Sequence, residues 1–259
     1  MANKNVIVLL NYLNVCKRAA QDDSMFKSFK KHIHYSLILE HCTYQMGADY
    51  ITEIKKNSPD LMNHVSKFIT NDLIGRPNMF WYEELNENVS PTTLRYIKVL
   101  GDLINLFGSL DGIDIVEIGG GYGGQCKMIH DIAKPHSYTI IDLPEVLLLA
   151  EKYLTKFNVQ DVKYVSPIKL RKGKYDLCIS NYAFTEIERK YQDIYVKDVI
   201  DGSARGYITC NFLEQRRVGY ANRFNKKEIF DLKPNGKFLS EIPLTGLNNI
   251  IYTWNLPVK

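Results

Sequence analysis

The residue types best placed to do chemistry in this 259-residue chain gather around one glycine run. In DIVEIGGGYGGQC, residues 114 to 126, five glycines occupy six positions behind an apolar run that carries a glutamate. Such a run makes a tight turn from a strand into a helix, with backbone amides and a helix N-terminus facing a ligand. Gly119, Gly121 and Gly124 fit the G-x-G-x-x-G of dinucleotide sites, whereas Gly119, Gly121 and Gly123 fit the G-x-G-x-G of methyl-donor sites. The glycines alone do not choose between them.

Three neighbouring features favour a methyl donor. Glu117, at the carboxyl end of the strand, would repel a pyrophosphate but attract the ammonium group of S-adenosylmethionine. Tyr122 crowds a phosphate cradle. The third is a terminal strand pair, described below, that is foreign to the usual dinucleotide fold. The cofactor set is therefore Glu117, Gly119, Gly120, Gly121, Tyr122 and Gly123, joined by Asp142 and Leu143. Asp142 ends the next strand, 19 residues after Gly123, where a carboxylate can take both ribose hydroxyls. Its competing role is to cap the helix that begins LPEV.

The elements that must hold these residues are short apolar runs alternating with helical stretches. IDIVEIG, SYTIID, VKYVS, YDLCIS and GYITCNF read as five parallel strands joined by crossover helices. KFLSEI and NIIYTW are separated only by PLTGLN, too short for a crossover, and should form an antiparallel hairpin at the sheet edge. The expected fold is α/β: a Rossmann-like parallel sheet with a C-terminal antiparallel hairpin, preceded by a helical N-terminal region. Residues 1–109 lack strand alternation and 110–259 carry the sheet. Ser90 and Pro91 start one helix and Gly108 ends it. Phe80, Trp81 and Tyr82 suggest an ordered loop pinned by buried rings.

Ligands of an open parallel sheet lie beyond the carboxyl ends of its strands. That rule adds Ser180 and Asn181, leaving the fourth strand beside the cofactor, then Tyr182 and Glu186, and Asn211 at the end of the fifth. The asparagines in CISN and TCN are a poor set for a hard cation, so no metal site is expected. The six histidines fall outside these strand ends and read as surface or structural groups.

Composition narrows the remaining classes. A net charge of +4 from 33 basic and 29 acidic residues has no basic stripe suited to nucleic acid, and KLRKGK at 169–174 reads as a solvated loop. Five scattered cysteines without zinc spacing imply a reduced compartment, and no run approaches a membrane span. A cytoplasmic location is the expectation.

The motifs SPTTLRY (90–96), VEIGGGYGGQ (116–125), YTIIDLPEVL (138–147), YDLCISNYAFTEI (175–187) and GYITCNF (206–212) occur together. In that combination the chain resembles class I S-adenosylmethionine-dependent methyltransferases, and most closely a family of sugar O-methyltransferases. The resemblance covers about residues 72–255 and implies that fold's strand order, S-adenosylmethionine as donor and a sugar hydroxyl, in a glycan or nucleotide-sugar, as acceptor. A hydroxyl acceptor calls for a general base, for which Glu186 is the first candidate and Tyr182 the second. Arg95 and Tyr96 become candidates for binding the acceptor, with Asn211, although Arg95 could equally hold the donor's carboxylate or sit on the surface. Rival readings are a nucleic-acid methyltransferase, disfavoured because SNYA lacks prolines to stack a flipped base, a binding module without catalysis, and a nicotinamide-dependent oxidoreductase. Residues 1–109 would serve as a cap on the acceptor side or in homo-oligomer assembly.

Overall fold

The computed structural model describes residues 4–212 and 222–256, which divide between two compact units interleaved along the chain. The first comprises the chain up to Asn105 together with Gly121–Ala133 and Leu143–Gln160. The second comprises Leu106–Gly120, Lys134–Asp142 and the chain from Asp161 onward.

The first unit is mainly helical, with principal helices Lys4–Gln21, Tyr44–Asn57, Pro91–Phe107, Gly124–Ile132 and Pro144–Lys156. The helix from Pro91 begins as its sequence suggests: the Ser90 hydroxyl accepts from Thr92 N–H at 3.2 Å, and Gly108 follows the last turn at φ +80°. One expectation fails in this region. Phe80, Trp81 and Tyr82 are not a loop but a strand, β1 (Phe80–Tyr82), paired antiparallel with β2 (Glu87–Val89). Because successive side chains of a strand point to opposite faces, the three rings cannot all be buried. Tyr82 is buried and donates to the Tyr44 carbonyl at 3.1 Å, while Trp81 stays 51% exposed.

The core of this unit is aromatic around a polar hub. Tyr122 is fully buried, its ring centroid 4.8 Å from that of Tyr153 and 5.8 Å from that of Phe29. Buried hydroxyls need partners, and Asn71 supplies them. Its Nδ2 donates to Thr93 Oγ1 at 2.6 Å and to the Tyr122 hydroxyl at 3.0 Å, its Oδ1 accepts from the Tyr153 hydroxyl, and its carbonyl accepts from the buried Lys30 ammonium at 2.8 Å. Lys30 also lies 4.3 Å from the Tyr122 ring centroid; burial lowers its pKa while Glu40 and Asp72 oppose the fall.

The second unit carries seven strands: β3 (Asp114–Ile118), β4 (Ser137–Ile141), β5 (Val162–Val165), β6 (Tyr175–Asn181), β7 (Ser203–Asn211), β8 (Lys237–Ser240) and β9 (Asn249–Trp254). Their order is β5-β4-β3-β6-β7-β9-β8. Strands β3 to β7 run parallel, while β9 inserts antiparallel between β7 and β8. All seven expected strands are present, and the fold is a Rossmann-like α/β sheet closed by an antiparallel hairpin. The chain runs outward from β3 through β4 and β5, then returns to the other side of β3 for β6 and β7. The topological switch point, where ligands of such sheets bind, therefore lies at the carboxyl ends of β3 and β6. Period-two alternation sends Val116 and Ile118 of β3 into a core shared with Cys178, Ile208, Tyr252 and Trp254, leaving Glu117 on the opposite face.

Replacing Asn71 by alanine strands the Tyr122 and Tyr153 hydroxyls at once, while Thr93 Oγ1 keeps its 2.7 Å bond to Asp72 Oδ1. Thermal or urea unfolding should show a loss of about 2–4 kcal/mol, larger than for a lone buried hydrogen bond. A loss under 1 kcal/mol would mean that water replaces the amide there.

Candidate functional site at the switch point

Glu117 lies in the last turn of the pleat of β3, paired in register with Ile140 of β4 and Ile179 of β6. It is 2% exposed, and its Oε2 accepts a 2.9 Å hydrogen bond from the Tyr138 hydroxyl. Burial pushes its carboxyl up to about 7, the Tyr138 bond pulls it down, and the charge of Asp142 adds to the rise. Among the described residues no cation offsets that carboxyl.

Beyond Glu117 the chain turns at Gly119, φ +75°, a left-handed conformation that suits glycine. A Cβ at Gly119 would stand 2.1 Å from the Ala183 side chain, and one at Gly120 would stand 3.0 Å from Glu117 Oε2. What comes close enough to clear the side chains here is thus the protein's own second turn, after β6, as well as any ligand. Asp142 follows β4 directly and is half-buried. The helix after it has Leu143, not Asp142, at its N-cap position.

The stretch after β6 is held tightly. Ser180 is fully buried, its hydroxyl donating to the Ile118 carbonyl at 3.0 Å and accepting from Phe184 N–H at 3.1 Å. It joins the ends of β3 and β6 and leaves no hydroxyl for a ligand. Asn181 differs: its Nδ2 is buried without a hydrogen-bond partner among the described residues. Tyr182 adopts φ +66°, rare for a residue with a side chain, and its N–H donates to the Thr209 carbonyl at 2.9 Å. Its hydroxyl donates to Glu241 Oε1.

Glu186 stays exposed at the end of the single helical turn Ala183–Glu186 and accepts from Asn211 Nδ2. Crowding by neighbouring atoms raises its carboxyl, against the Asn211 bond and the charge of Arg223. The Asn211 Oδ1 also accepts from Thr185 Oγ1 at 2.7 Å.

The structure thus gathers Glu117, Gly119, Gly120, Asp142, Ser180, Asn181, Tyr182, Glu186 and Asn211 in the second unit. Gly121, Tyr122, Gly123, Leu143, Arg95 and Tyr96 belong to the first. There the Tyr122 ring is core, so only its main chain is left for a ligand. Arg95 is not a surface residue: it is 7% exposed, donates to the Leu39 carbonyl at 3.3 Å and stands 5.6 Å from the centroid of the Tyr96 ring, itself buried. Sequence reasoning missed Tyr138, the partner of Glu117. No local signal marks that pair: Tyr138 and Ile140 share a face of β4, but only the register of β4 on β3 brings that face to Glu117.

No family model matches the chain, and neither does any curated protein. Solved structures match it only at low identity. The N-methyltransferase NodS from Bradyrhizobium japonicum is 12% identical, with 63% of this chain and 95% of that one covered and a TM-score of 0.47. An rRNA methylase from Streptococcus thermophilus is 13% identical, with 57% and 90% covered and a TM-score of 0.42. The bifunctional kinase-methyltransferase WbdD is 12% identical over 55% of this chain but only 34% of its own length, with a TM-score of 0.43. Identities and scores of this size leave the chemistry to be argued from the chain's own residues.

The raised carboxyl of Glu117 predicts a pH-dependent stability. A folded-state value near 7 against an ordinary 4.5 stabilises the fold below about pH 4.5, and that contribution is lost as pH rises through about 7. Glu117→Gln keeps the Tyr138 hydrogen bond and cannot ionise. Without ligand, it should be more stable than the parent by up to about 3 kcal/mol at pH 8 and indistinguishable from it at pH 4, in parallel denaturant titrations. Equal stability at both values would mean that Glu117 is solvated.

Proposed function

We propose that this protein transfers a methyl group from S-adenosylmethionine to a hydroxyl of a sugar, in a glycan or nucleotide-sugar. One observation carries the reading: a buried carboxyl with no cationic partner among the described residues stands at the switch point, with a second acid at the end of the neighbouring strand. A site of that sign suits a ligand bearing ammonium and sulfonium charge and opposes a pyrophosphate. Glu117 would face the amino group, Asp142 the ribose hydroxyls, and the orphaned Asn181 Nδ2 offers a donor to an acceptor atom of the ligand. Gly119 and Gly120 bring main chain against the ligand without side chains. When bound, S-adenosylmethionine supplies an activated methyl group on a positively charged sulfur.

The protein's task is then to align an acceptor hydroxyl, shed water and accept one proton. Tyr182, Glu186, Asn211, Glu241 and Thr245 form a neutral-to-acidic polar rim after β6, β7 and β8, rich in the hydrogen-bonding groups that a polyhydroxylated acceptor needs. A base is drawn from Tyr182 or Glu186, without a metal. Arg95 and Tyr96 remain candidates for acceptor binding through the SPTTLRY motif. The helical N-terminal residues 1–109 would act in acceptor capping or assembly, and Val6, Ile7 and Leu10, exposed on the first helix, favour assembly with a second copy.

If Glu117 meets an ammonium group, it must give up its proton on binding. Calorimetry at pH 6.5 in buffers of different ionisation enthalpy should show about one proton released per S-adenosylmethionine bound, and affinity should rise with pH through about 7. Asp142→Ala should weaken that binding by about 1–3 kcal/mol. Tight binding of NADH instead, with none of S-adenosylmethionine, would reverse the assignment. Methyl transfer should survive EDTA; loss of turnover that magnesium alone restores would replace the metal-free reading.

A further inference from the structure

The hairpin loop between β8 and β9 places a carboxylate directly behind Tyr182. Glu241 is 6% exposed, and three groups converge on it. The Tyr182 hydroxyl donates to Oε1, Thr245 N–H donates to Oε2 at 2.8 Å, and the Thr245 hydroxyl lies 2.9 Å from both oxygens. Asn249 Nδ2 in turn donates to Thr245 Oγ1 at 2.9 Å, which ties the loop to β9. On the other side, Tyr182 is fixed through its main chain: its N–H reaches the Thr209 carbonyl at 2.9 Å and its carbonyl accepts from Thr185 Oγ1 at 3.2 Å. Its φ of +66° is retained despite the strain, as happens where surrounding structure holds a residue for a purpose.

We infer that Tyr182 and Glu241 form a proton-accepting pair, with Tyr182 the catalytic residue and Glu241 the positioning residue behind it. The inference rests on the methyl-transfer reading and names the base for it. A phenol that donates its own proton to a carboxylate keeps oxygen lone pairs for a second partner; Thr245 Oγ1 lies 3.3 Å from Tyr182 Oη, and Tyr182 is only half-buried. The acceptor O–H proton passes to Tyr182 Oη while the Tyr182 proton passes to Glu241 Oε1. The acceptor oxygen forms its bond to the donor methyl carbon as the carbon–sulfur bond breaks onto sulfur. The products are the methyl ether, a neutral thioether and a protonated Glu241, so charge and protons balance. Glu186, exposed and already engaged by Asn211, then orients that asparagine at the end of β7.

The test uses Tyr182→Phe, Glu241→Gln, the double variant and Glu186→Gln. Acceptors are a mixture of oligosaccharides and nucleotide-sugars, with methyl-labelled S-adenosylmethionine as donor. Each of the first two variants should lower kcat by about 10²-fold or more, with donor affinity and acceptor KM within about threefold of the parent. The double variant should be no slower than the worse single, because the pair acts as one unit. Glu186→Gln tests the rival base and should lower kcat by less than either of the first two variants, because Glu186 acts through Asn211; a loss as large as theirs overturns the pair. A readout independent of turnover is 19F NMR of protein labelled with 3-fluorotyrosine: the resonance missing from Tyr182→Phe should move in Glu241→Gln and stay in place in Glu186→Gln. Near-normal kcat in both Tyr182→Phe and Glu241→Gln, with label still transferred, overturns the pair and leaves the methyltransferase reading standing. A parent protein that binds no S-adenosylmethionine, or binds it and methylates none of these acceptors, overturns the sugar reading and the pair's role together.

Discussion

A carboxyl buried in the middle of a parallel sheet, without a cation beside it among the described residues, is the constraint around which the second unit is arranged. Desolvation disfavours the ionised form, and a single tyrosine hydroxyl does not offset it. Such a group ionises less readily than an ordinary carboxyl, its value pushed from 4.5 up to about 7. It becomes a strong electrostatic partner only when something positive arrives. The rest of the switch point is consistent with that asymmetry: a second acid at the end of β4, an amide donor unpaired among the described residues after β6, and a turn at Gly119 stripped of side chains.

Rigidity around the site comes from hydrogen bonds that join strand ends rather than from the strands alone. Ser180 ties the end of β3 to the turn after β6, Asn211 ties the end of β7 to the same turn, and Glu241 reaches Tyr182 from the hairpin. Three different carboxyl ends therefore converge on residues 180–186. A left-handed tyrosine is tolerable there because so many bonds hold its backbone and its ring. In the helical unit Asn71 has the comparable place, satisfying hydroxyls that the aromatic packing would otherwise bury unpaired.

The glycine run has two explanations that do not compete. Positive φ at Gly119 requires a residue without Cβ, and the 2.1 Å approach of Ala183 forbids one in any case. Close packing of the turn after β3 against the turn after β6 fixes the main chain at Gly119. Tyr122 within the run serves packing as well, since its ring is committed to the core around Asn71 and Tyr153.

Alternation, turn residues and connection lengths determined the seven strands, their parallel sense and the antiparallel hairpin, because those features are local and period-two patterns survive in the sequence. The same local logic placed Glu117, Asp142 and the stretch from Ser180 to Glu186 at strand ends. It failed at Phe80–Tyr82, where three aromatic residues suggested a loop pinned by buried rings but the chain forms a strand whose pleat puts Trp81 on the face opposite the buried Tyr82. Tertiary structure alone decided the partners: Tyr138 on Glu117, Ala183 on Gly119, Glu241 on Tyr182 and Asn211 on Glu186. Those pairs join residues 21 to 64 positions apart. Hydrogen bonds over such separations depend on strand order and register, and neither leaves a mark on the sequence around each residue. For that reason Arg95 read as an open choice between surface and site, whereas its burial against Leu39 and Tyr96 is a product of how the helices pack.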